Sequence, residues 1–275
     1  MNQFETTTTI KPPSRFIDLD LRDLWAYREL LYFLTWRDVK IRYKQTAIGI
    51  AWAVLQPVIT TAIFTVIFSS FARFDTSDVP YPLFALSGLI VWLFVHTSIT
   101  MASGSFVSNT NLVTKVYFPR ILVPLAAALA GLVDLVFSVA ILAGMMIYYQ
   151  IGLSLQILAA PVFLLLAVIL TVSLGTLFAG LNVRFRDVKF ALPFLLQVWM
   201  ITSPIFYPVN LVPEKWRLVY ALNPLVGILE GLRYSLFGTP IAWQIVAVSL
   251  ISIIALAIIS LLIFKRMEDD FADLI

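Results

Sequence analysis

The chain has 275 residues, of which 60% are hydrophobic and only 13% charged, with a formal net charge of +3 and a pI of about 9.1. Soluble domains carry about 45–50% apolar and about 25% charged residues, so the composition excludes a soluble enzyme and calls for an integral membrane protein. Zero cysteines exclude disulfides, thiolate nucleophiles and Cys-ligated metal, and no aromatic-interleaved basic run lies outside the membrane flanks, which argues against a nucleic-acid partner.

Met1–Ser14 is polar and Thr-rich, closes on Pro12-Pro13, and has no apolar run of the kind a cleavable signal peptide needs. Asp18 or Asp20 is placed to cap a helix running to about Leu34. Its apolar residues Leu21, Leu24, Trp25, Leu31 and Leu34 recur at helical spacing, while Arg22, Asp23 and Glu29 make a polar side. It is too charged to span and reads as an amphipathic helix in the interface plane. Residues 1–35 therefore form a tail and interface helix, 36–267 a transmembrane domain and 268–275 a second tail.

Thr35–Gln45 supplies four basic residues (Arg37, Lys40, Arg42, Lys44) ahead of the first apolar run, Ile48–Phe71. At about 1.5 Å per residue that run exceeds the roughly 30 Å hydrocarbon core, and Phe64, Phe68 and Phe71 fall on one of its faces. Further spans are expected over Tyr81–Ser105 (with Trp92 and the only histidine, His96), Ile121–Tyr149, Ile157–Leu181, Phe190–Tyr207 and Pro240–Phe264. Between the fifth and sixth, residues 208–239 hold Val219–Leu222 and Leu225–Leu236, apolar pieces too short to cross. Such pieces re-enter the membrane only where protein or water covers the broken backbone. The expected fold is thus all-α, with six transmembrane helices.

Arg73, Lys215, Arg217 and Arg233 fall on one side of this topology, and every other Lys and Arg on the side of the two termini. Because cytoplasmic loops accumulate Lys and Arg, both termini are expected in the cytoplasm. There too lies the short connection Asn111–Pro124, where Lys115 and Arg120 sit between two spans. It carries helix-compatible residues (Leu112, Val113, Val116) and an aromatic pair expected to be exposed, Tyr117 and Phe118. A small docking helix pushed by a separate partner fits that pattern.

Chemistry is sparse. There is no G-x-x-x-x-G-K-[ST] phosphate loop, no H-E-x-x-H and no Cys or His pair for zinc, so no cofactor is expected on this chain. His96 reads as structural or pore-lining. Asp134, inside the third span, is costly at membrane depth; it is either a proton relay or a carboxylate satisfied by a packing partner, and a lone acid is more often the second. Glu230 and Arg233 can pair at i, i+3. Trp199, Phe206, Tyr207, Trp216, Tyr220 and Tyr234 gather toward the outer half, where aromatic rings suit either a sugar chain or an interfacial belt.

Trp36–Pro57, Asn111–Ala126, Leu181–Val188, the SPIFYP of Ser203–Pro208 and the pair Asn223-Pro224 together resemble the permease subunit of type 2 ABC exporters for bacterial polysaccharides, those moving O-antigen or teichoic-acid chains. The resemblance covers about Leu24 to Ile275. It implies a homodimer in the bacterial inner membrane working with two copies of a separate ATPase subunit, which binds ATP and Mg, on a lipid-linked polysaccharide within membrane lipid. It makes Asn111–Phe118 (Asn111, Leu112, Val113, Thr114, Lys115, Val116, Tyr117, Phe118) the cytoplasmic coupling helix. The Leu21–Leu34 helix, with Leu21, Leu24, Trp25 and Arg28, joins the groove that receives the ATPase. Phe64, Phe68, Phe71, Trp92, Trp199, Phe206 and Tyr207 become channel candidates. Trp216, Tyr220, Glu230, Arg233 and Tyr234 become candidates for an extracytoplasmic gate of re-entrant helices within about Pro213–Phe237. O-antigen is preferred over teichoic acid as cargo. A proton-coupled carrier using Asp134 and His96, and a membrane-embedded glycosyl- or acyltransferase, are the readings of other classes.

Overall fold

The structure, a computed structural model, describes residues 25–44, 51–71, 79–152, 154–268 and 271, and all regular elements among them are helical. In chain order they are α1 (Arg28–Lys44), α2 (Ala51–Phe71), α3 (Tyr81–Ser108), α4 (Thr110–Lys115), α5 (Leu122–Ala130), α6 (Leu132–Tyr148), a 3-10 turn (Leu155–Ala159), α7 (Ala160–Arg184), α8 (Val188–Ile201), α9 (Glu214–Tyr220), α10 (Pro224–Phe237) and α11 (Trp243–Glu268). Five segments are long and apolar enough to cross a membrane: α2, α3, the α5–α6 pair, the 3-10 turn with α7, and α11.

α3 is the hub. Its apolar residues run all the way round, so no face is left for water, and it packs against α2, α5, α6, α7, α8 and α10. Small residues allow the close approach that helices need where lipid is as apolar as the side chains. The joint between α5 and α6 lies at Gly131, where an added Cβ would stand 2.0 Å from the Ser98 hydroxyl oxygen of α3. The third span is therefore broken by one residue without reversing direction. α7 packs on the far side of α3, and α11 and α10 pack on α7.

Two expectations about extent need correction. The interface helix does not stop near Leu34 but runs to Lys44, because Thr35–Lys44 holds no Gly or Pro to end it. The basic residues taken for a flank thus sit on its last turns; Asp18, Asp20, Leu21 and Leu24 lie outside the described residues. The fifth span was expected to reach Tyr207, yet α8 ends at Ile201 after 14 residues, roughly 21 Å. Pro204 removes a donor and disfavours the helical conformation at Ser203, and the chain continues to Pro208 as irregular backbone. Among the described residues, the structure gives five long membrane-crossing segments and one short apolar helix.

The segment after it forms two helices. α10 has Asn223 as its N-cap, whose side chain accepts from the Leu225 N–H at 3.1 Å, with Pro224 at its first position. It ends at Gly238, whose φ of 70° favours a residue without Cβ. The first piece is centred earlier than expected, at Glu214–Tyr220.

Candidate functional site

Two regions carry the sequence-predicted residues, one at each end of the bundle. At the end that holds α1, α3 runs out at Ser108 and α4 follows at once. Asn109 closes the joint by donating from its side-chain amide to the Ser105 carbonyl at 2.8 Å. α4 is short, and at Val116 the backbone becomes extended, so successive side chains point to opposite sides. Tyr117 is 94% exposed, whereas Phe118 is buried, as is Val113 one turn earlier. The expected exposed aromatic pair is therefore a single exposed ring, with Phe118 turned inward to anchor the segment. Asn111, Thr114, Lys115 and Val116 share the exposed side, and Leu112 is half-buried.

α1 lies beside this segment, packed on α5. Tyr27, Leu30 and Leu31 pack against the same buried apolar cluster that takes Val113 and Phe118. Trp25 stays exposed, with the Arg28 guanidinium 5.3 Å from its ring. The last turn of α1 reaches the third span: Arg42 Nη2 lies 2.5 Å from Asp134 Oδ2, and the Tyr43 hydroxyl donates to Oδ1. Burial pushes the Tyr43 hydroxyl well above its ordinary range, and the Asp134 carboxylate adds to the effect, so this group remains a donor. Asp134 is thus a satisfied packing partner that joins α1 to α6.

At the other end the aromatic candidates assemble in two groups. Phe64 of α2 stacks on Phe206 with centroids 3.6 Å apart, and Phe68 lies 5.8 Å from Phe64 and 6.1 Å from Tyr81. The Tyr81 hydroxyl donates to the Phe206 carbonyl at 3.0 Å, which ties the turn after α8 to the start of α3. Trp92 meets Trp199 edge-on at 5.9 Å and lies 5.7 Å from His96. Trp199 in turn donates to the Asn223 side chain at 2.9 Å, and Asn223 donates to the Ser203 hydroxyl at 2.9 Å. A cleft of about 600 Å³ opens here between Trp199, Thr202, Tyr207, Val219, Tyr220 and Asn223, with the Tyr207 and Tyr220 hydroxyls 3.0 Å apart.

Not every candidate joins. Tyr234 meets Trp243 edge-on at 5.5 Å, and Trp216 projects from α9, 55% exposed. The side chain of Phe71 is outside the described set. Asn223 and Tyr81 were given no role from the sequence, although the Asn-Pro pair is a helix-start signal.

Behind this cleft sits Arg233, 1% exposed. Its Nη2 donates to the Ile205 carbonyl at 2.9 Å, its Nε lies 3.4 Å from the Ser87 hydroxyl, and its guanidinium stacks 3.6 Å from the centroid of Phe84. The expected pairing with Glu230 is present, at 3.6 Å, longer than a hydrogen bond. Arg233 therefore pins α10 to the start of α3 and to the turn after α8. No group of three or more His, Cys, Asp or Glu able to hold a metal occurs among the described residues.

The arrangement offers an exposed segment anchored in the core at one end and an aromatic cleft at the other, and its polar side chains join helices to one another. The chain is similar to the O-antigen export system permease protein RfbA of Myxococcus xanthus, 27% identical over 92% of this chain and 98% of that protein. It is similar to the protein of the same name from Klebsiella pneumoniae, at 26% over 90% of this chain and 95% of that one. The polysialic acid transport protein KpsM of Escherichia coli is 27% identical over 70% of this chain and 76% of its own length. Residues 29–237 match the ABC-2 type transporter family, and the chain belongs to that family as a membrane-embedded transport subunit rather than an enzyme.

Proposed function

We propose that this chain is the membrane-spanning half of an ATP-driven exporter that moves a lipid-linked polysaccharide, O-antigen in the first instance, outward across the bacterial inner membrane. It works as a homodimer with two copies of a separate ATPase subunit, which holds ATP and Mg. Both termini and α4 face the cytoplasm, as the distribution of Lys and Arg favours. α8 and the irregular turn to Pro208 together make the fifth of six crossings, and α9 and α10 are the re-entrant pair on the outer side.

The observation that carries this reading is the shape of the α4 segment. Lys115 and Tyr117 project from the end of the bundle, while Val113 and Phe118 fix the same segment to the core. A partner pressing on the exposed side moves the helices behind it. The chain has no phosphate loop with which to power that motion. The polysaccharide cargo rests on the relatives named for O-antigen export, which align over nearly their whole length. Aromatic rings from α2, α3, α8 and the following turn suit the apolar faces of sugar rings.

Capsule polysaccharide is the second reading of the cargo, favoured by a relative in Neisseria meningitidis named for capsule polysaccharide export, 22% identical over 84% of this chain. The proton-coupled carrier loses its motive, since Asp134 is occupied by Arg42 and Tyr43. The test is reconstitution in proteoliposomes with the partner ATPase and lipid-linked O-antigen. Export should require ATP and survive collapse of the proton gradient. Lys115→Glu combined with Tyr117→Ala should lower export per ATP hydrolysed by about tenfold or more, within the roughly 5–150-fold range of coupling between sites. Undiminished export in that double variant counts against the proposal.

A further inference from the structure

The last charged stretch of the chain, KRMEDDFADLI, reads from sequence as a solvated tail. The structure gives it apolar anchors. Phe264, Met267 and Phe271 are buried, Phe271 completely, although Lys265, Arg266 and Glu268 lie between them. Phe264 and Met267, three residues apart, share one face of α11. The Phe271 ring is 5.0 Å from that of Phe106, in the last turn of α3, and 5.5 Å from Phe264. The same buried cluster holds Val113 and Phe118 beneath α4, Leu122 at the start of α5, and Ala179 and Val183 near the end of α7.

The slot that receives this segment is built for it. At Gly180 of α7 an added Cβ would stand 2.6 Å from the Met267 methyl and 3.4 Å from the tip of Phe271. A second tie comes from the α4–α5 connection, where Arg120 Nη1 donates to the Glu268 carbonyl. A terminal aromatic beyond several charges has no reason to be fully buried unless its packing matters.

We propose that the carboxyl-terminal segment braces the coupling lever, with Phe271, seated against Gly180 and Phe106, acting as a positioning residue for transport. The inference rests on the reading of Asn111–Phe118 as the segment the ATPase drives. A close-packed interior transmits displacement because it does not compress. With Phe271 in place, pressure on Tyr117 moves the ends of α3, α7 and α11 together. Without it, α4 yields locally and the stroke is lost.

The experiment uses the full complex with its ATPase in proteoliposomes, with lipid-linked O-antigen as probe. It records assembled protein, ATP hydrolysis, export, and hydrogen exchange at the Leu112, Val113 and Val116 amides. Phe271→Ala should assemble and hydrolyse ATP, yet export about tenfold less per ATP and exchange those amides about tenfold faster. Phe271→Leu should restore most of both. Gly180→Leu, which crowds the Met267 methyl first and the Phe271 ring behind it, should reproduce the loss.

Unchanged export per ATP in Phe271→Ala overturns the brace, as does a loss that only tracks the amount assembled. The Lys115→Glu/Tyr117→Ala variant, run in parallel, separates the two levels. If it uncouples and Phe271→Ala does not, the brace alone is wrong. If it exports normally, the coupling reading falls and the brace with it.

Discussion

Asp134 and Arg233 are both ionic side chains inside a membrane bundle, and they are accommodated in opposite ways. Arg233 is held within one block, by a carbonyl after α8, by the Ser87 hydroxyl and by the Phe84 ring, with Glu230 adding a longer-range attraction. Asp134 takes both of its partners, Arg42 and Tyr43, from one other helix. The first arrangement makes α10, the start of α3 and the Ser203–Phe206 turn a unit that moves together or not at all. The second makes the neutralisation of Asp134 depend on where α1 stands. If α1 shifts, Asp134 loses Arg42 and Tyr43 at once, whereas Arg233 takes its partners from other elements. The end that holds Arg233 is tied within one block, and the end that holds α1 is held by a contact that can be released.

The largest expected effect tests the rigid half of that contrast. Arg233→Ala leaves the Ile205 carbonyl without its donor, Glu230 without its partner and a cavity beside Phe84. Breaking a largely buried charge pair by removing its fully buried member costs about 3–5 kcal/mol, enough to lose much of the folded protein. Thermal unfolding in detergent should show it. Arg233→Lys should rescue little, because a single ammonium does not reproduce a planar fork that donates and stacks at the same time. A lysine variant as stable as the parent would mean that charge alone holds α10 in place.

What the sequence made legible follows the reach of each interaction. The apolar runs revealed the long helices, and the i, i+3 spacing of Glu230 and Arg233 revealed their pairing, because both are local. The burial of Arg233 was not visible, since Ile205, Ser87 and Phe84 come from two distant stretches. Asp134 stood out as an anomaly, but its partners lie some 90 residues away on a helix whose basic end resembled an ordinary membrane flank. Pro204 was in plain view and should have ended the fifth helix early. Phe118 was misjudged because the chain turns extended at Val116, which sets the two neighbouring aromatics on opposite sides. Of the aromatic candidates, Phe64 with Phe206 and Trp92 with Trp199 came together, whereas Tyr234 turned to Trp243. Residue type alone gave no way to choose among them.

The releasable half of the contrast is tested at Asp134. Asp134→Asn strips Arg42 of its counter-charge; with both side chains about one-fifth exposed, solvent takes up part of the loss, and about 1–3 kcal/mol is expected. Arg42→Gln should cost a similar amount, and the two together much less than their sum, as a double-mutant cycle on unfolding would record. Additive losses would mean that the ion pair contributes nothing and that α1 is held by its apolar face alone.

The smallest effect isolates a single hydrogen bond. Tyr43→Phe keeps the ring and the Arg42–Asp134 pair and removes only the hydroxyl that donates to Asp134, so about 1 kcal/mol is expected at pH 7. Its pH dependence has a fixed sign. Burial first, and then the Asp134 carboxylate, hold the Tyr43 proton in the folded protein well above the ordinary value of 10.0. The unfolded chain therefore releases that proton first, and the hydroxyl's contribution is full below about pH 10 and declines as pH rises beyond it. The stability gap between the parent and Tyr43→Phe should accordingly shrink between pH 9 and about pH 11, in chemical unfolding followed in one detergent. A gap that widened over that range would place an ionised Tyr43 in the folded state. That is incompatible with a hydroxyl serving as donor to Asp134.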